Sequence, residues 1–172
     1  MEPTIIAQVM CLALMSPEFH LNKSRQDLAC RSIGQILEDS EESDVDPSLL
    51  IAVIFTESSW RKSAVSPVGA CGLTQVIPKY TGGSLTGTRR YTCSQLKRPR
   101  NAIRAGSKIL GFWINRYGNG NIKVGLCGYS SGFRCKGERP LKAGMRYALK
   151  VLKMKRKIDR IYKEKLSIYN RH

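Results

Sequence analysis

Residues 46–60 read DPSLLIAVIFTESSW, and how this stretch folds decides the rest of the chain. Leu49 to Phe55 is an unbroken apolar run. It is preceded by Asp46, which can cap a helix, and by Pro47, which fits the first helical position. A run this apolar could also form a buried strand. Its length and the Asp46-Pro47 start favour a helix. A helix apolar on every side is one that other elements surround. Near its far end stands one carboxylate, Glu57.

Working outward, residues 3–16 are predicted helical. In 24–38, Leu28, Ile33, Ile36 and Leu37 recur at helical spacing, with Ser24 as a candidate N-cap. Residues 38–46, EDSEESDVD, read as an acidic loop. Residues 61–99 are rich in Gly, Pro, Ser and Thr and are predicted to be loop or short β-ribbon. A helix is expected over 101–117, with Ile103, Leu110, Trp113 and Ile114 on one side, and GNGN (118–121) ends it. A short segment (122–129) and a glycine-bearing loop follow. The last helix, 141–168, carries an apolar stripe of Leu141, Met145, Ala148, Leu149, Leu152, Ile158, Tyr162 and Leu166. The expected fold class is α+β, mostly α-helical, with a small irregular or β part. At 172 residues the chain suits a single domain. It divides into N-terminal helices with an acidic loop (1–45), a core (46–137) and a basic C-terminal helix (138–172).

Charge is unevenly distributed. Residues 1–57 hold 10 acidic and 3 basic residues, whereas 58–172 hold 3 acidic and 26 basic ones, for a net +16 overall. Such asymmetry favours an anionic partner: nucleic acid, anionic lipid or a phosphate-bearing bacterial envelope. The six cysteines form no C-x-x-C pair, and His20 and His172 are the only histidines, so zinc-ligand spacing is absent. No metal or cofactor is expected. Three disulfides or buried thiols both suit six cysteines; Cys127 and Cys135, bracketing a short loop, are the preferred pair. At Cys71, between Ala70 and Gly72, small size alone is a sufficient reading. No run of eighteen apolar residues suggests a transmembrane helix. The apolar start has Glu2 as its only charge and reads as a mature helix rather than a signal peptide.

Nucleophile chemistry has little support, since no G-x-S-x-G elbow occurs and both histidines are peripheral. The TGGSLTGT loop is weak as a phosphate cradle. Acid–base chemistry by a carboxylate remains. No Asp or Glu occurs from Ser58 to Gly137, so a second carboxylate would have to come from the 38–46 loop, Glu138 or the N-terminal part. Two-carboxylate glycosidases need a close pair. At the end of a buried helix, Glu57 would be partly desolvated, which raises a carboxyl pKa and suits it to donate a proton.

The residues after Glu57 sharpen this reading. Glu57, Ser58 and Trp60, then Ser66, Gly69, Ala70, Gly72, Leu73, Gln75 and Pro78, resemble the signature of the SLT-type lytic transglycosylases, of goose-lysozyme-like fold. NAIRAGSKIL (101–110) and the Gly128–Gly132 segment match two further blocks of that family, and the resemblance covers about residues 46–137. It implies a lysozyme-like domain that cleaves the β-1,4 bond between N-acetylmuramic acid and N-acetylglucosamine in peptidoglycan. Glu57 would serve as acid and then base, leaving a 1,6-anhydro product. By the same resemblance Ser66 and Gln75 would bond the sugar or position Glu57. Gly69 and Gly72 would keep the backbone close to the glycan, and Tyr129 would orient Glu57. Two positions depart from the pattern. Ser130 stands where the family has Asn, with less reach. Ile77 stands where many relatives have Met, and still offers an apolar wall.

The expected partners are peptidoglycan glycan strands and, through the cationic C-terminal helix, an anionic envelope or membrane surface. Nucleic acid is disfavoured, because no stacking pattern accompanies the charge. A monomer is the default. Size, charge and the absence of a signal suggest a bacteriophage lysin acting on the cell wall, either a released endolysin or a virion-borne enzyme. The alternatives are a hydrolytic muramidase on the same fold and a non-catalytic cationic binding protein.

Overall fold

The computed structural model describes residues 2–137 and 140–171; Glu138, one of the acids considered above, lies outside them. The described residues are mostly helical: α1 (Pro3–Leu14), α2 (Lys23–Glu42), α3 (Pro47–Ser58), a short α4 (Cys93–Leu96), α5 (Pro99–Gly111), α6 (Ile122–Ser131) and α7 (Lys142–Tyr169). A π-helical stretch, Phe112–Tyr117, continues α5. Among them, the expected β part amounts to two isolated antiparallel bridges, Val65 to Cys71 and Cys71 to Val76. The glycines and prolines of 61–99 leave too few consecutive extended residues for a ladder.

The 46–60 stretch folds as the central helix. The Asp46 carboxylate accepts from the backbone N–H of Ser48 at 2.7 Å and of Leu49 at 3.3 Å. Every residue from Leu49 to Phe55 is buried, and α7, α2 and α5 pack around the helix. Phe55 stacks on Phe19 (4.9 Å) and meets Trp60 edge-on (6.1 Å), which closes one end of the core.

Three expectations are corrected. The acidic segment is not a loop through residue 42, because α2 runs to Glu42. Its acids lie one turn apart and face cations of α5: Asp39 pairs with Arg104 and Glu42 with Lys108, each at 3.1 Å. The N-cap of α2 is Asn22, whose side chain accepts from Arg25 N–H, rather than Ser24. On α7, the buried positions are Gly144, Ala148, Val151, Ile158 and Ile161, while Leu149 is 52% exposed. The buried face is shifted from the expected stripe but keeps four of its residues, Ala148 and Ile158 in the core and Leu152 and Tyr162 packed against it. A Cβ at Gly144 would lie 2.5 Å from Cys127 Sγ, so only glycine lets α7 approach α6 this closely.

All six cysteines are paired: Cys11–Cys30 joins α1 to α2, Cys71–Cys93 ties the 61–78 segment to α4, and Cys127–Cys135 ties α6 to the loop after it. The preferred pair is present, and Cys71 is a cross-link rather than a small filler. Replacing Cys71 and Cys93 together by Ala should lower stability by about 2–4 kcal/mol in denaturant unfolding. A loss below about 1 kcal/mol would mean that hydrogen bonds alone hold the segment.

Candidate active site

Glu57 lies on the last turn of α3, half-buried. Directly after Ser58 the chain turns off the helix through Ser59 (φ 48°) and Trp60 (φ 65°), two non-glycine residues in the left-handed region. Such a conformation is costly unless its surroundings hold it. Burial of the Trp60 ring in the core provides one hold. A second is the Ser58 hydroxyl, placed 2.8 Å from the Leu73 carbonyl and 3.2 Å from that of Ile54.

That contact joins the helix end to the Leu73–Gln75 segment, which is pinned from two more sides. The Thr74 hydroxyl donates to the Ala102 carbonyl of α5 at 2.7 Å, and the Tyr129 hydroxyl of α6 donates to the Thr74 carbonyl at 2.7 Å. Gln75 itself has φ 50°. Its amide nitrogen donates to the carbonyls of Gly72 (2.9 Å) and Ala64 (3.2 Å), and its carbonyl oxygen accepts no hydrogen bond among the described residues.

The Glu57 carboxylate accepts from the Tyr147 hydroxyl of α7 at 2.5 Å. Burial pushes the Glu57 carboxyl up to about 7; the Tyr147 hydrogen bond and the Lys150 charge, which both favour the ionised form, oppose the rise. The Tyr129 and Tyr147 hydroxyls are held well above the usual phenol range, chiefly by burial and then by the Glu57 charge. Both remain protonated donors. The site is thus an acid poised near neutrality, with tyrosines from two helices in its field.

The structure gathers part of the predicted set. Glu57 and Tyr129 come together, but the hydroxyl contact expected of Tyr129 is made by Tyr147. Tyr129 is occupied instead with Thr74, because α6 passes over the 73–75 segment while α7 runs against α3. Ser66 closes a turn: its hydroxyl oxygen accepts from Ala70 N–H at 3.1 Å, and Gly69 (φ 81°) completes that turn at the surface. Ile77 is half-buried at the start of a 3-10 turn, Pro78–Tyr80. Ser130 is exposed, with its hydroxyl 3.3 Å from that of Ser131. Tyr147 was missed because it lies beyond the matched blocks and the expected stripe was misaligned. Its spacing from Gly144 and Val151 is the signal that could have found it.

The family model of the transglycosylase SLT domain matches residues 35–148. The chain is 30% identical over 123 residues to membrane-bound lytic murein transglycosylase C of Sodalis glossinidius, which covers 69% of this chain and 33% of that protein. It is 36% identical over 93 residues to the transglycosylase of Enterobacteria phage PRD1, covering 54% of this chain and 32% of that one. The chain therefore spans about a third of the length of these relatives. In fold it resembles the lytic transglycosylase Slt of Pseudomonas aeruginosa (TM-score 0.62, 24% identity, 77% of this chain and 24% of that one). It also resembles the 70 kDa soluble lytic transglycosylase of Escherichia coli (TM-score 0.61, 19% identity, 92% of this chain and 30% of that one).

Two measurements test the site's electrostatics. Tyr147→Phe removes a hydrogen bond to the carboxylate, so Glu57 should titrate above the wild-type value in a carboxyl NMR titration; an unchanged or lower value would remove Tyr147 as its donor. Glu57→Gln addresses stability. A carboxyl whose folded pKa exceeds its unfolded value binds more protons when folded, so stability falls as pH rises from about 4.5 to about 7. The Gln variant lacks this loss. At pH 8 it should exceed wild type in unfolding free energy by up to roughly 3 kcal/mol, and at pH 4 the difference should shrink towards zero.

Proposed function

The chain belongs to the transglycosylase SLT family, and from that premise we propose that it is a peptidoglycan lytic transglycosylase in which Glu57 supplies both proton transfers. The observation that carries the proposal is a half-buried carboxyl raised to about 7 and held by a tyrosine hydroxyl at 2.5 Å. At neutral pH a substantial fraction is protonated and able to donate, and the conjugate base is close enough in pKa to take a proton back.

In the proposed reaction Glu57 protonates the glycosidic oxygen between N-acetylmuramic acid and N-acetylglucosamine as the bond to C1 breaks. The muramic C6 hydroxyl then attacks C1 and returns its proton to the Glu57 carboxylate. One C–O bond is exchanged for another, no water is consumed, and Glu57 ends as it began. One carboxylate suffices for this cycle, consistent with the acid-free sequence from Ser58 to Gly137. Help from the substrate's own acetamido group is compatible with a single acid. Tyr147 would hold the carboxyl in place, as a positioning residue. Tyr129 would act through Thr74, keeping the 73–75 segment at a fixed distance. The free carbonyl of Gln75 and the Ser66 hydroxyl would take sugar hydrogen bonds, with Gly69 admitting the strand, Ile77 walling the acetamido group and Ser130 contributing a shorter contact than an amide.

The site of action would be the bacterial cell wall. A phage lysin is the reading that best joins the strong positive charge with the similarity to the phage PRD1 transglycosylase. Among the described residues no helix is long and apolar enough to cross a membrane.

Mass spectrometry of digested sacculi tests the proposal. Muropeptides ending in 1,6-anhydromuramic acid are expected, whereas reducing muramic ends would establish hydrolysis on the same fold. Glu57→Gln should lower turnover by at least about 10²-fold, the lower range of general acid catalysis. Lysis that survives the substitution unaltered would point to the non-catalytic, charge-driven alternative.

A further inference from the structure

Away from Glu57, the segment Gly87–Tyr91 and the first two turns of α5 enclose a cleft of about 390 Å³. Four cations line it: Arg89, Arg100, Arg104 and Lys108. No carboxylate is among the lining residues. Arg104 and Lys108 pair with Asp39 and Glu42 of α2, neither of which lines this cleft, although Glu42 lines the cavity next to it. Arg89 and Arg100 make no ion pair with any described residue.

Arg89 is nonetheless held in place. Its guanidinium lies over the Tyr91 ring at 4.7 Å, and it approaches the Asn101 side-chain oxygen at 3.5 Å. Asn101 is in turn fixed by donating to the Gln95 carbonyl at 2.9 Å. The start of α5 adds to the positive potential. Its N-cap, Arg98, offers no side-chain acceptor to the first turn, and since Pro99 has no N–H and those of Asn101 and Ala102 bond the Arg98 carbonyl, the helix dipole rather than a set of free N–H groups is what this end adds. A concave wall of preorganised guanidinium groups at a helix start is suited to phosphate oxygens, which accept several charge-assisted hydrogen bonds at once.

We propose that this cleft binds a phosphate-bearing anion and is a site separate from that of Glu57. The shared chemistry is a phosphate mono- or diester. It could be carried by a soluble anion or by a lipid headgroup. A second cavity of about 400 Å³ shares Gly87 and Lys108 with the cleft, but the Glu42 carboxylate lines it, which confines the anion to the Arg89–Arg100 side.

The test uses the full chain and two probes at low ionic strength: inorganic pyrophosphate by calorimetry, and vesicles of phosphatidylglycerol with phosphatidylcholine against phosphatidylcholine alone. Three proteins are compared: wild type, Arg89→Ala/Arg100→Ala, and a charge-matched control at exposed lysines outside both the cleft and α7, Lys62→Ala/Lys123→Ala. The proposal expects the cleft variant to bind at least one probe fivefold or more weakly than the control. Loss with pyrophosphate identifies a soluble anion as sufficient, and loss with vesicles alone identifies a lipid-borne phosphate. A difference below fivefold for both probes overturns the site in favour of diffuse charge attraction, as does wild type binding neither probe. If the double variant melts early, Arg100→Gln carries the same comparison under the same criterion. Neither probe contains glycan, so the result stands apart from the role of Glu57.

Discussion

The hydrogen bond from Tyr147 to Glu57 joins the end of α3 to the start of α7, 90 residues apart in sequence. Everything near the site bears on that junction. α3 is buried on all sides, so its last turn cannot move without disturbing the core. α7 is set against α6 at Gly144, three residues before Tyr147, where no larger side chain fits. A carboxyl in this position loses hydration, and loss of hydration penalises the charge. One hydroxyl and the more distant Lys150 charge recover only part of what water would have given. A strong ion pair would have driven the group towards permanent ionisation. A purely apolar pocket would have raised it further. The balance near 7 reflects a deep position with a neutral, rather than cationic, nearest partner.

The uneven charge of the chain is partly an internal matter. Acids of the first 57 residues meet cations of the later helices: Asp39 with Arg104, Glu42 with Lys108, Asp46 with Lys155 and Glu18 with Arg160. Most of these pairs are exposed enough to contribute little individually, about 0–1 kcal/mol. Asp39 differs, since its side chain is 1% exposed and hydrogen bonds from Gln35 and Arg104 satisfy it. Removing Arg104 would strand a buried charge. Two of the pairs tie α2 to α5, and the other two tie α7 to the N-cap of α3 and to the turn before α2, while other cations of the second part stay on the surface. An asymmetry read from sequence as a signal for anionic ligands is thus divided between folding and surface.

Local rules carried the sequence reading a long way. Asp46-Pro47 located the start of α3 to the residue, the apolar run gave its burial, and the acid near its end followed from position. The irregular character of 61–99 followed from its glycines and prolines. Tertiary pairing was harder to see. The 38–42 acids look like loop residues until α5 supplies their cations, so the end of α2 was placed early. Leu149 fits a helical stripe as well as Tyr147 does when only spacing is known, and the choice between them depends on which face meets α3. Cys71 beside Gly72 reads as a small filler because its partner lies 22 residues away. The Tyr129–Thr74 contact had no local signal at all.

The disulfides bear on a further point. With a fully buried central helix, a chain of this length has core enough to fold without covalent staples. Two of the three nevertheless border the site. Cys71 takes part in both bridges of the loop that presents Gln75, and Cys127 precedes Tyr129 by two residues on α6. The nearby backbone needs support, because Ser59, Trp60 and Gln75 all hold left-handed conformations that a freer chain would leave. Glu57 adds a second cost, which grows as pH rises towards 7. Cross-links that restrict the unfolded chain offset such costs without adding a charged group beside the acid. That distinction matters here, because a cation close enough to brace the loop would also lower the pKa of Glu57. Disulfides and backbone hydrogen bonds stiffen the site while leaving its acid near neutrality.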